Sequence, residues 1–284
     1  MSAPGSNGTD GLTMSVRGVM TRSIDRRRFL QASTALAAVA GAKEAVGAEA
    51  GTRQEFYELR VYRTADADKK QRMGAYLERA LVPALGRMGL DRIGVFTNID
   101  QPDDHSLYVL IPYPTLDRLA ALNPTLLADG EYQAAAREHF AVPKDDPVFS
   151  RIQSRLYKAF AGMPVIEMPE QTAQARARMF ELRIYESHTE EKAALKVDMF
   201  NSGEIQVMRD TGLGPVFYGE ALVGEDLPHL AYMLSAADRD AHKAHWQAFG
   251  EHPEWNRMKA LPKYEDTVSK ITNTFLEPTG YSQI

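Results

Sequence analysis

No cysteine occurs among the 284 residues, which excludes disulfides, iron–sulfur ligation and a thiol nucleophile. Tryptophan is scarce, with Trp246 and Trp255 the only two. After residue 50 no apolar run is long enough to span a bilayer, and mean hydropathy is −0.35. A glycine-rich phosphate loop, a serine nucleophile elbow and Cys/His metal spacing are also missing, which disfavours nucleotide-driven and acyl-enzyme chemistry. Nor is there an excess of positive charge. The first 50 residues hold 6 of the 33 basic and 4 of the 38 acidic residues, so the remainder carries 27 against 34 and a net charge of −7. A duplex nucleic-acid partner is disfavoured on that balance. What is present is ordinary for globular protein, 44% hydrophobic and 25% charged, with length for two modest domains after a leader.

The leader reads as an export address, spanning residues 1–50. In Asp25-Arg26-Arg27-Arg28-Phe29-Leu30-Gln31, paired arginines precede Phe-Leu, and a mildly apolar, alanine-rich run from Leu30 to Ala42 follows. This resembles a twin-arginine signal peptide, with Arg26, Arg27, Phe29 and Leu30 as its motif and cleavage after Ala48 or Ala50. A basic amphipathic leader is the plainer reading. Export by the twin-arginine translocation machinery implies a periplasmic or extracellular protein, suits a chain without thiols, and is compatible with a cofactor inserted before transport.

Beyond the leader the chain repeats itself. Phe56-Tyr57-Glu58-Leu59-Arg60-Val61-Tyr62 returns as Met179-Phe180-Glu181-Leu182-Arg183-Ile184-Tyr185. In the same order, Gly89-Leu90 answers Gly212-Leu213, His105-Ser-Leu-Tyr108 answers His229-Leu-Ala-Tyr232, Asp117-Arg118 answers Asp238-Arg239, and Glu131-Tyr132 answers Glu254-Trp255. Shared order of this kind marks a duplicated fold unit, with repeats over 51–161 and 179–284 and a polar, proline-containing linker over 162–178. Each repeat reads strand, helix, strand, strand, helix, strand. The first strands alternate in a period of two. Met73, Tyr76, Leu77, Ala80, Leu81, Ala84, Leu85 and Met88 trace one helix face that Gly89 ends, with Pro83 expected to kink it or mark a new first turn. The predicted class is α+β: two tandem ferredoxin-like βαββαβ repeats packed sheet to sheet as a dimeric α/β barrel. The alternative is two separate units, each pairing with a second chain in a homo-oligomer.

The paired Glu-Leu-Arg-x-Tyr strands, the His229-Leu-Ala-Tyr232 strand, and Asp238-Arg239 followed by Trp246 and Pro253-Glu254-Trp255 together resemble the NIPSNAP family. The likeness covers about residues 55–280 and is nearer in the second repeat; the first has Leu126 or a neighbour, and Tyr132, where the tryptophans stand. The resemblance implies the dimeric α/β barrel fold, whose members include small monooxygenases, haem-degrading enzymes and haem-dependent dehydratases. It implies no defined reaction, because fold likeness is a poor warrant for chemistry.

Glu58, Arg60 and Tyr62 share one strand face, as do Glu181, Arg183 and Tyr185. If the apolar faces hold the helices, these polar faces line the space between the sheets and would bind a small molecule there, with Trp246 as a further wall. Arginine would clamp a carboxylate, tyrosine would donate, and a buried glutamate would act as a base. The opposing reading is that Glu and Arg, two apart on a strand, simply neutralise each other. His242 and His245, three apart on a helix, are weak metal or haem candidates in a chain otherwise without a metal signature; His105 and His229 suit capping, and His188 sits at a sheet edge. The remaining alternative is a non-catalytic module acting through its helical surface, which a barrel filled with side chains would favour.

Overall fold

The structure, a computed structural model, describes residues 53–284; the leader and its export motif lie outside them. Eight antiparallel strands close into one barrel in the order β1-β3-β2-β8-β5-β7-β6-β4. They are β1 (Phe56–Arg63), β2 (Gly94–Asn98), β3 (Leu107–Tyr113), β4 (Arg151–Ala159), β5 (Met179–Glu186), β6 (Gly214–Val223), β7 (His229–Ala236) and β8 (Lys270–Pro278). Each half is a ferredoxin-like sheet, β4-β1-β3-β2 and β8-β5-β7-β6, with helices on its outer face.

The halves are joined edge to edge. At one seam Phe96, Thr97 and Asn98 of β2 pair with Pro278, Glu277 and Leu276 of β8. At the other, β4 pairs with β6 around a bulge at Leu156/Tyr157, where a Cβ on Gly219 would lie 2.6 Å from Cβ of Tyr157. The carboxy-terminal tail tightens the first seam: Thr279 and Gln283 donate their backbone N–H groups to the carbonyls of Val95 and Ile93, both at 2.9 Å. Ile284 then ends inside the barrel, fully buried. One chain thus supplies the closure for which a second chain was the alternative.

The alternation of β1 and β5 is as read from the sequence, but the faces are the reverse of those expected. Tyr57, Leu59 and Val61 point into the barrel with Phe96, Leu110, Phe180, Leu182, Phe217 and Leu276, and these fill it. Glu58, Arg60 and Tyr62, and their counterparts Glu181, Arg183 and Tyr185, therefore lie between sheet and helices, not between the sheets. The physical reason is the greater apolar demand of the closed barrel, which is sealed on all sides, while the helix layer offers hydroxyls, indoles and histidine to polar groups. Ile166, in the segment expected to be a linker, also packs into the barrel core, and its N–H donates to Glu55 at 2.9 Å.

Strand register corrects one matched pair. Tyr62 stands opposite Leu107 and Tyr185 opposite Leu230, so Tyr108 corresponds to Ala231 and not to Tyr232. A one-residue slip changes the face. Tyr108 accordingly sits in the barrel and Tyr232 under the helices.

The first helix of each repeat is broken by a π turn. In the first repeat α1 (Ala67–Tyr76) passes through Leu77–Leu81 into α2 (Val82–Arg87), and the Val82 N–H donates to the Leu77 carbonyl. In the second, α3 (Glu190–Met199) passes through Phe200–Glu204 into α4 (Ile205–Asp210), with Ile205 donating to Phe200. The irregularity attributed to Pro83 thus begins a turn earlier, and the second repeat has it without a proline. Gly203, at φ 156°, lies within that second turn.

Candidate functional site

In the second repeat the polar face of β5 meets α5 (Arg239–Glu251), whose first turn is capped by Asp238 accepting from the Ala241 N–H. Glu181, 1% exposed, accepts from Arg183 Nη1 at 2.6 Å, from His242 at 2.8 Å and from Trp246 Nε1 at 3.0 Å. Burial alone would raise the Glu181 carboxyl; the hydrogen bond from His242, the Arg183 guanidinium and the Trp246 N–H outweigh it and hold the group below the usual carboxylate range. Arg183 also bonds the Tyr185 hydroxyl, which accepts from Tyr232 at 2.8 Å, and its guanidinium lies 4.5 Å from the centre of the Trp246 ring. Beside this cluster Lys196 and Glu204 form an ion pair of 2.7 Å, each about as buried as the surrounding core. Trp255 rests on Phe249 at 4.6 Å between centroids and covers the Lys196 ammonium at 5.4 Å.

The first repeat builds the same start and a different end. Glu58 accepts from Arg60 at 2.6 and 2.8 Å, from Ser154 at 2.7 Å and from Tyr113 at 3.0 Å. Where the second repeat has Lys196 and Glu204, the first has the apolar Met73 and Leu81. Where it has Trp255, the first has Tyr132, whose hydroxyl lies 2.8 Å from that of Tyr76.

Outside the Tyr76–Tyr132 pair a cavity of about 410 Å³ opens. Arg72, Tyr76 and Arg79 reach it from one face of α1 and its π turn, since they are four and three residues apart. Across it stand α6 (Gly130–Ala135), capped by Asp129, and α7 (Arg137–Phe140), which bring Ala134, Ala135, Arg137, Glu138 and His139. Val142 and Val148 complete the wall. His139 stacks on Tyr76, 3.9 Å away at 14°, and lies nearly parallel to Phe149, 6.1 Å away at 19°. Its Nδ1 is enclosed without a hydrogen-bond partner among the described residues. Burial, reinforced by Arg72, pushes its imidazole below the ordinary histidine value, so the ring is neutral near pH 7. Arg72 approaches Asp146 at 3.7 Å, whereas Arg79 and Arg137 form no ion pair among the described residues. Three guanidiniums and one carboxylate, Glu138, thus line a space with apolar walls.

Of the residues singled out from sequence, Glu181, Arg183, Tyr185, Trp246 and His242 come together in one closed cluster, and Glu58, Arg60 and Tyr62 form its partial copy. Neither set lines the barrel interior. His242 and His245 do not converge: His242 is turned onto Glu181, while His245 lies at the Gly212 turn, where an added Cβ would come within 2.9 Å of its Nε2. His242 is buried, with its Nε2 engaged by Glu181 and by the Trp246 N–H and its Nδ1 enclosed, so neither ring nitrogen is open to a haem iron and the residues do not fit that group. Among the described residues no cluster of three or more acidic and histidine side chains is arranged for a metal ion. His229 is buried on Tyr157 at 3.1 Å, His252 caps α8 (Pro253–Lys259), and His188 is exposed. Tyr76, Arg79, Arg137 and His139 were not legible as a site, because they come from three segments with no shared motif; the only signal was Arg72, Tyr76 and Arg79 on one helix face.

Comparison with known proteins agrees with this architecture. The sequence profile of the NIPSNAP family matches residues 180–283. No curated protein sequence matches the chain. Two solved structures cover most of it: a proposed monooxygenase from Fusobacterium nucleatum, 8% identical with a TM-score of 0.52 over 80% of this chain and 93% of that one, and another from Lactobacillus acidophilus, 8% identical with a TM-score of 0.52 over 79% and 94%. At such identity the likeness is one of fold. A NIPSNAP-like domain protein from Burkholderia xenovorans, 18% identical, aligns with 38% of this chain and 90% of its own, with a TM-score of 0.35. Among the described residues no helix is long and apolar enough to cross a membrane. The chain is an α/β barrel closed by two ferredoxin-like repeats, and its second repeat matches the NIPSNAP family profile.

Proposed function

We propose that this protein is exported by the twin-arginine route and binds a small organic anion in the cavity among the helices of its first repeat. The observation that carries the binding half is the cavity of about 410 Å³ with Arg72, Arg79 and Arg137 at its edge and alanine, valine and tyrosine on its walls. That size is within the range of small-molecule sites, and the mixture suits a carboxylate attached to an apolar body. The barrel interior, filled by side chains, no longer supports a ligand between the sheets. The second repeat fills its own helix layer with the Glu181 cluster and the Lys196–Glu204 pair.

Calorimetric titration with phenylacetate and with its neutral analogue 2-phenylethanol tests the binding half. Phenylacetate should bind and the alcohol should not. Arg79→Ala with Arg137→Ala should weaken binding at least tenfold, since a charge-assisted hydrogen bond contributes about 1.5–3 kcal/mol. Equal affinity for acid and alcohol, or for variant and wild type, defeats the reading. For export, Arg26→Lys with Arg27→Lys should leave the protein in the cytoplasm; unchanged export defeats that half.

A further inference from the structure

The cavity does more than offer positive charge. His139 is the one ring in its wall that is both uncharged near neutrality and without any hydrogen bond to the described residues. Its plane runs nearly parallel to the rings of Tyr76 and Phe149. With Nδ1 enclosed, Nε2 is the nitrogen left to meet whatever enters. Accepting a proton there requires the neutral ring to carry its hydrogen on Nδ1.

We propose that His139 is a proton acceptor for a flat carboxylic acid bound in this cavity, removing hydrogen from a carbon next to a carbonyl group. The inference rests on the ligand reading above and adds a reaction class to it. Enolisation needs two things together: a positioned base and cationic donors where the oxyanion develops. Here His139 and Arg137 come from one wall and Arg79 from the wall across it. The C–H bond breaks, its electron pair becomes the C=C bond of the enolate, the former carbonyl oxygen takes the negative charge beside Arg79 and Arg137, and the proton passes to Nε2. The imidazolium then returns a proton to carbon or oxygen, so the cycle balances without an oxidant or a second substrate. The ionisable groups facing His139 are Arg72, Tyr76 and Arg79 from α1 and its π turn, Arg137 and Glu138 from its own helix, and Asp146 through its contact with Arg72. The guanidiniums dominate this set and favour an anion, while burial first and Arg72 second hold the imidazole below its ordinary value.

Phenylpyruvate is a suitable probe, with a carboxylate, a keto group, an exchangeable benzylic CH₂ and a flat ring. In D₂O, proton NMR follows replacement of the benzylic hydrogens by deuterium, while calorimetry follows affinity. Wild-type full-length protein should accelerate exchange over buffer. His139→Gln should bind phenylpyruvate within threefold of wild type yet lose about a hundredfold or more of the acceleration, the usual contribution of a positioned base. Acceleration by wild type should fall as pH drops below the ordinary imidazole range, together with titration of the His139 ring signals. That second readout needs no variant and holds even if H139Q fails to fold. Binding without acceleration, or equal acceleration by H139Q, overturns the base and leaves the ligand reading standing. Failure of phenylpyruvate to bind overturns the proposal outright, and phenylacetate binding then reports separately on the ligand reading.

Discussion

Replacing Arg183 by alanine should lower stability by about 3 kcal/mol, and the size follows from what the side chain touches. It donates to Glu181 at 2.6 Å, stands over the Trp246 ring at 4.5 Å and is 13% exposed. A hydrogen bond to a charged group contributes about 1.5–3 kcal/mol and a largely desolvated cation–π contact about 1–2 kcal/mol. Glu181 would keep His242 and Trp246, so the loss should stay at the low end of the roughly 3–5 kcal/mol for stranding a buried charge. Equilibrium urea denaturation measures this directly, and for a domain of this size the melting temperature should fall by about 6–12 °C. The pH dependence is a second mark. Because the folded Glu181 carboxyl is held low, its stabilisation is present above the unfolded carboxylate value, near 4.3, and is lost as pH falls through the folded value. Removing Arg183 relaxes the carboxyl upward, so the gap between wild type and variant should narrow as pH drops below about 4.3, leaving the share due to the Trp246 contact. A variant as stable as wild type, or a difference unchanged down to acid pH, would refute the reasoning. A gain in stability would mark Arg183 as strained and held for function.

The duplication supplies its own controls. Lys196→Met with Glu204→Leu installs what the first repeat has at Met73 and Leu81; the double variant should match or exceed wild type in urea midpoint, whereas each single change should cost about 3–5 kcal/mol by stranding the other charge. Gly203→Ala should destabilise by about 1–3 kcal/mol in the same assay, because φ is 156° and the new Cβ would meet Met258 Sδ at 3.0 Å. Tyr132→Phe deletes the hydroxyl 2.8 Å from that of Tyr76 and should cost about 1 kcal/mol while loosening the ring that holds His139, seen as broader His139 signals in the NMR spectrum.

How much of this was written in the sequence depends on the kind of signal. The repeated strands were plain, because period-two alternation and duplicated residues reinforce each other over Phe56–Tyr62 and Met179–Tyr185. Alternation says that two faces differ and is silent on which one turns to the helices. Closure decides that, and closure depends on the two seams, which are long-range. Matching Tyr108 to Tyr232 failed for a related reason: an equally spaced His and Tyr outweighed the leucines, and strand pairing allows no slip. The Lys196–Glu204 pair was invisible, since charged residues on a helix read as solvated, and only packing against Phe200 and Trp255 makes them interior. The cavity was invisible too. His139 acquires meaning only when α7 folds it against Tyr76 and Phe149.

Joining both halves in one polypeptide removes a constraint that binds symmetric dimers. When identical copies meet across a twofold axis, each substitution is made twice, once on either side of the interface. Here the β2–β8 and β4–β6 seams unite unlike halves whose pairing needs no encounter and cannot be diluted away. Each half is thus free to drift alone. One could trade tryptophans and a buried ion pair for rigidity, while the other kept its hollow open and changed only the residues around it.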